Sequence, residues 1–169
     1  MNKAVLDDAM QNADVIYYSG ITLAILDPDS RGNLLEALQR ARSRGKTVAF
    51  DTNLRPRLGT HPQEMKETIR LAAGQADIVL PSFEDEAAWF GDRDAYETLA
   101  RYTRYGAHNI IVKNSSEPVH FQQQGEVKRV NVEPVPTVVD TTAAGDSFNA
   151  ALLASFMKSV DFEEGIKAG

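Results

Sequence analysis

Short apolar runs that close on polar turns alternate with amphipathic stretches of helical length, and this alternation restricts the fold more than any other feature of the chain. Residues 14–20 read as a buried strand ending at Ser19 and Gly20. Asp27, Pro28, Asp29 and Ser30 carry helix-start chemistry, Leu34, Leu35, Leu38 and Ala41 recur on one helical face, and Gly45 supplies a stop. Residues 47–51 then form a second apolar strand. Strand, helix and strand in this order make a right-handed βαβ unit, which belongs to a parallel sheet.

The pattern continues with a helix over residues 62–75, with Met65, Ile69 and Ala72 or Ala73 inward, and a third strand over 77–82 stopped by Pro81. Helices follow over 82–91 and 94–105, then a fourth parallel strand over 109–113. Residues 119–121 and 126–132 alternate as two antiparallel strands joined by a Gln/Gly loop. A short helix over 4–12 opens the chain, Leu152, Leu153 and Phe156 give a late helix its buried face, and 162–169 begin another. The expected fold class is therefore α/β, a mostly parallel sheet flanked by helices. Tyr17 and Tyr18 point to opposite faces of the first strand, and both are expected in the core.

Composition excludes several kinds of chemistry. The 169 residues are 43% hydrophobic, enough for one globular domain with a core of its own. A net charge of −6 without a Lys/Arg cluster speaks against a nucleic-acid surface. The absence of cysteine removes disulfides, thiolate metal sites and thiol nucleophiles, and a cytoplasmic protein is the natural expectation. Asp7, Asp8 and Asp14 interrupt any leader-like apolar run, and no stretch reaches membrane-spanning length. His61, His108 and His120 are scattered without metal-ligand spacing.

The candidate functional residues stand where the strands end, which in open α/β sheets is where ligands bind. Asp51, Thr52, Asn53, Leu54, Arg55, Pro56 and Arg57 follow the second strand, and arginine's planar fork suits carboxylate or phosphate oxygens. The same loop also suits a surface where its arginines pair with nearby acids. Further on, Asp140, Thr141, Thr142, Ala143, Ala144, Gly145 and Asp146 lead into a helix. Small side chains there let an anion reach amides that lack partners in the helix and carry the positive end of its dipole. A carboxylate among them is placed to accept a proton from a hydroxyl, a phosphoryl-transfer arrangement. Equally, Asp140 could cap that helix while the alanines pack and Asp146 favours the dipole.

The 140–151 stretch resembles the C-terminal signature of the ribokinase/PfkB-type carbohydrate kinases, with Ala143 where glycine is commoner. The resemblance implies a ribokinase-like three-layer α/β/α fold in which Asp146 is the catalytic base and the amides of Ala143, Ala144 and Gly145 form an anion hole. Asp51, Asn53 and Arg55 resemble the Asp-x-Asn-x-Arg motif of the 2-keto-3-deoxygluconate kinase branch, so Arg55 would contact the carboxylate of a sugar acid. Ser82 and Asp85, with Glu86 beside it, stand at the family's Asn-x-x-Glu motif, which organises Mg²⁺ through water. Either acid is a candidate. Lys113, Asn114 and Ser115 occupy the place of a Gly-rich turn near the nucleotide phosphates, although glycine is missing. Asp140 and Thr142 are candidates for a monovalent cation site, K⁺ in some members.

The resemblance implies as partners ATP with Mg²⁺ and a sugar acid, 2-keto-3-deoxygluconate. A neutral-sugar kinase for fructose or ribose, or a non-catalytic remnant binding nucleotide or a partner, remain open alternatives. Complete members carry an upstream segment with a small β-lid and much of the sugar pocket, and later elements that close over adenine. Residues 1–169 are thus expected to be a partial ribokinase-like domain, the nucleotide and catalytic half. A sheet edge left by missing strands would encourage association, which leaves a homo-oligomer open.

Overall fold

A computed structural model describes residues 3–55, 58, 62–132, 143–159 and 161–169. Its elements run α1 (Lys3–Gln11), β1 (Val15–Ser19), α2 (Gly20–Ile25), α3 (Pro28–Ser43), β2 (Thr47–Asp51), α4 (Pro62–Gly74), β3 (Ile78–Val79), α5 (Phe83–Phe90), α6 (Ala95–Arg104), β4 (Asn109–Val112), β5 (Val119–Gln123), β6 (Glu126–Val130), α7 (Ala144–Ser159) and α8 (Phe162–Ala168). The strands form one sheet in sequence order, parallel from β1 to β4 and antiparallel from β4 to β6.

Local chemistry explains where several helices start. Asp27 accepts from the amide of Ser30 at 2.9 Å ahead of Pro28 at the first position of α3, Asp94 accepts from Glu97 before α6, and Asp161 accepts from Glu163 before α8. Gly91 ends α5 in the left-handed conformation, at φ 80°.

The period of two along each strand divides the core between the faces of the sheet. Val48, Phe50, Val79, Ile110 and Val112 pack with Leu34, Leu38, Ile69, Leu99 and Tyr102 of α3, α4 and α6. Ala49, Ile78 and Ile111 point the other way, onto Leu152 of α7 and Phe162 and Ile166 of α8. Helices on both faces give three layers, as the alternation of runs predicts.

Three details differ from the sequence expectation. Gly20 starts a helix, α2, rather than closing a turn, and the position admits only glycine because a Cβ there would lie 2.0 Å from the Thr52 carbonyl oxygen. The third strand shrinks to Ile78–Val79, since Pro81 has no N–H for the ladder. Pairing nevertheless resumes beyond it, with Lys113 donating to Pro81 at 2.9 Å and Phe83 donating to Lys113 at 2.8 Å. Of the two tyrosines, only Tyr18 is core, stacked on Phe50 with its hydroxyl donating to the Ala72 carbonyl, whereas Tyr17 is 43% exposed. The strand must place one tyrosine on each face, and the Tyr17 face opens at the strand ends.

Candidate active site at the carboxyl ends of the strands

Four parallel strands deliver polar residues to one edge: Ser19 ends β1, Asp51 ends β2, Ser82 follows β3 and Lys113 follows β4. Over that edge stands the start of α7. Ser147 donates to the Ala143 carbonyl at 2.9 Å as the first helical bond, so the amides of Ala144, Gly145 and Asp146 have no acceptor within the helix. Ala143, Ala144, Gly145 and Asp146 are all exposed. Ala143 makes the turn into the helix at φ 59°, the left-handed region that glycine enters without strain.

Beneath this turn lies a cluster of side chains. Lys113 Nζ donates to Asp51 Oδ1 and to Asn149 Oδ1, each at 3.2 Å. Asn149 Nδ2 donates to Asp51 Oδ2 at 2.9 Å and to the Tyr17 hydroxyl at 3.2 Å, and that hydroxyl donates to Asp51 Oδ2 at 3.1 Å. Asp51 and Asn149 are 3% and 1% exposed, so these bonds are made away from water. Partial burial, then the charge of Asp51, pushes the Tyr17 phenol well above its ordinary range, with a smaller contribution from Asp146. Tyr17 therefore stays protonated, and Asp146 lies within electrostatic reach of it.

The loop after β2 is pinned on both sides of Thr52. Its carbonyl presses on Gly20, and its hydroxyl donates to Glu86 Oε1 at 2.8 Å. Glu86 is fully buried; Tyr102 OH lies 3.0 Å from both of its oxygens, and Arg101 Nη2 donates to Oε2 at 2.8 Å. Burial pushes its carboxyl up, against the opposing pull of Arg101 and the hydroxyls. Arg101 is held in turn by Asp92 and lies over the Phe90 ring. The expectation that Glu86 is open to a hydrated metal is corrected here: position 86 faces inward on α5, and its oxygens are consumed by the core.

Its neighbour Asp85 faces the edge, with a side chain 34% exposed and Oδ2 3.7 Å from Arg55 Nη1. Burial raises its carboxyl above the ordinary range, with Arg55 the leading opposing influence and Lys113 and Asp51 also in reach. Arg55 is half exposed and otherwise donates to its own neighbour, the Leu54 carbonyl, at 2.9 Å. Asn53, between Asp51 and Arg55, takes φ 32° to turn the loop. Asn114 and Ser115 form a turn in which Glu117 donates to the Asn114 carbonyl at 2.8 Å, with Ser115 at φ 51°, a glycine-like angle without glycine. Asp140, Thr142 and Arg57 lie outside the described residues. Among the described residues no three His, Asp or Glu side chains form a metal cage. Mg²⁺ needs none, since it keeps several waters and takes one or two carboxylates beside substrate phosphates. Asp85 fits that use.

Sequence reasoning missed Tyr17, Thr52 and Asn149. A signal for Asn149 exists: it is a polar residue between Phe148 and Leu152 on a helix with an apolar face, and a polar group there must find partners.

A mostly parallel sheet with helices on both faces is the ribokinase-like fold, and solved structures share it. The chain superimposes on a PfkB protein from Polaromonas sp. JS666 with a TM-score of 0.81, at 26% identity, covering 99% of this chain and 53% of that one. It also superimposes on an aminoimidazole riboside kinase from Salmonella enterica with a TM-score of 0.80, at 25% identity, over 91% of this chain and 53% of that one. The pfkB family carbohydrate kinase profile matches residues 2–169, and the chain belongs to that family. A 2-dehydro-3-deoxygluconokinase from Haemophilus influenzae is 36% identical over 91% of this chain and 50% of its own length. The enzyme of that name from Escherichia coli K12 is 35% identical over 98% and 55%, and a fructokinase from Klebsiella pneumoniae is 32% identical over 79% and 43%. The chain thus spans about half the length of the curated relatives it matches. No helix among the described residues is long and apolar enough to cross a membrane.

Proposed function

We propose that this chain carries the catalytic half of a kinase that moves the γ-phosphoryl of ATP to a hydroxyl of a sugar acid, 2-keto-3-deoxygluconate being the best candidate. The observation that carries the reading is the gathering, at the carboxyl ends of the strands, of an exposed carboxylate on amides without an acceptor in their own helix and, on the loop after β2, of Arg55 beside Asp85. Asp146 accepts the proton of the attacking hydroxyl, and the amides of Ala143, Ala144 and Gly145 hold the negative charge of the transferring phosphoryl. Arg55 takes the substrate carboxylate, with Asn53 beside it, so that binding energy far from the reacting oxygen orients that oxygen. Asn114 and Ser115 turn at the strand end where nucleotide phosphates would pass. Mg²⁺, when bound, neutralises charge on the nucleotide phosphates, and Asp85 is the acid open to its water shell. The names of the relatives at 35–36% identity support the acidic sugar, and the fructokinase at 32% keeps a neutral sugar in view.

Coupled assay of ADP release with the sugar acid and with fructose separates these readings. Asp146→Asn should lower kcat by about 10²-fold or more, in line with the loss of a positioned general base. Arg55→Ala should raise KM for the sugar acid and leave fructose turnover unchanged. Retention of most of the rate by Asp146→Asn would remove the assigned base, and an unchanged KM in Arg55→Ala would point to a neutral sugar.

A further inference from the structure

The bonds around Asn149 carry an inference that rests on the kinase reading and goes further into the same site. Asn149 stands three residues after Asp146, on the same face of α7, one turn deeper. Its carboxamide makes three hydrogen bonds, to Asp51 at the end of β2, to Tyr17 on β1 and from Lys113 after β4. Lys113 Nζ lies directly under the first turn of α7, since a Cβ on Gly145 would come within 3.7 Å of it. The Lys113 side chain is 12% exposed and that of Asp51 4%, so the pair at 3.2 Å is screened little by solvent.

We propose that Asp51, Lys113 and Asn149 are positioning residues that clamp the catalytic turn of α7 onto three strands, and that the Lys113 charge serves Asp51 and Asn149 rather than the nucleotide. Three of roughly four acceptor positions on the Asp51 carboxylate are already used, by Lys113, Asn149 and Tyr17, which leaves little for a sugar hydroxyl. The positive charge of Lys113 is offset by a buried carboxylate, so a phosphate arriving there would meet a neutral pair. What the cluster does is hold in register the helix that presents Asp146 and its first-turn amides. The same carboxylate begins the loop that carries Asn53 and Arg55, so the base and the substrate-facing arginine share one anchor.

Two readouts on the full chain test this, one independent of turnover. In hydrogen exchange, Lys113→Met and Asn149→Ala should each speed exchange at residues 147–151 by about tenfold, while β2 and β4 keep their protection. In kinetics, both should lower kcat by roughly 10- to 100-fold through misplacement of the base, with KM for ATP within about twofold. The double variant Lys113→Met with Asp51→Asn, which removes both charges, should be no worse than Lys113→Met alone. Asn149→Ala leaves the ion pair in place and serves if Lys113→Met does not fold. The clamp is overturned if exchange in α7 is unchanged, or if Lys113→Met raises KM for ATP about tenfold at constant kcat. If the unaltered chain shows no turnover, the kinase reading fails for this polypeptide while the exchange data still decide the clamp.

Discussion

Removing the Glu86 carboxylate should destabilise the fold and loosen the loop that carries Arg55, and the structure sets the size of the effect. Three groups point at that carboxylate: the hydroxyls of Thr52 and Tyr102 and Nη2 of Arg101. In Glu86→Ala each buried donor loses this acceptor, at about 1–3 kcal/mol apiece. Breaking a buried pair outright costs about 3–5 kcal/mol. Arg101 keeps Asp92 as a counter-charge, with Nε 3.1 and 3.2 Å from its two oxygens, so no cation is left unpaired and the lower part of that range applies. Against a typical total of about 5–15 kcal/mol, a loss of about 3 kcal/mol is a large fraction. Thr52→Val is the gentler probe, since it takes one of the bonds on Glu86 and should cost about 1–2 kcal/mol. Urea unfolding at neutral pH measures both, and an unchanged m-value shows that the same surface is exposed. If Glu86→Ala costs under about 1 kcal/mol, burial of the charge has cancelled its bonds and the network does not hold the Thr52 loop.

Other substitutions probe the same edge. Ala143→Gly relieves a left-handed alanine, worth about 1–2 kcal/mol, and adds chain entropy to the unfolded state, so a net gain of up to about 1 kcal/mol is expected in urea unfolding. Gly20→Ala drives a methyl into the Thr52 carbonyl and should shift the loop at 52–55, seen as a drop in melting temperature of several degrees for a loss of about 2 kcal/mol or more. Asp85 tests pH dependence. Burial raises its carboxyl in the fold, so its contribution is fully present below the ordinary carboxylate range and is lost as pH rises through the raised value. Asp85→Asn does not titrate, so its melting temperature should gain on the unaltered chain between acid and neutral pH. A variant that instead loses ground to the unaltered chain over that interval would contradict the assigned direction.

The layered fold was legible because its cues are short-range. The short apolar run Val48, Ala49 and Phe50, helical spacing in Leu34, Leu38 and Ala41, and aspartates one residue ahead of α3 and α6 act within a few positions of themselves. The helix start at Ala144 was legible for the same reason, as small residues before an apolar helix. The two adjacent acids were not. Asp85 and Glu86 are equivalent as letters, yet one faces the sheet edge and the other enters the core, and only the packing of α5 against α6 separates them.

By itself the sequence determined that this chain alternates strand and helix, that its polar residues fall at strand ends, and that a carboxylate opens α7. Tertiary structure alone decided which polar groups belong to one another. Asn149 and Asp51 lie 98 positions apart, Lys113 and Asp51 62, and no local pattern couples residues at such separations. Their partnership arises because parallel strands end at a common edge and bring distant side chains into one poorly solvated space. There an unpaired charge is costly, and each group takes the partner that the fold sets beside it.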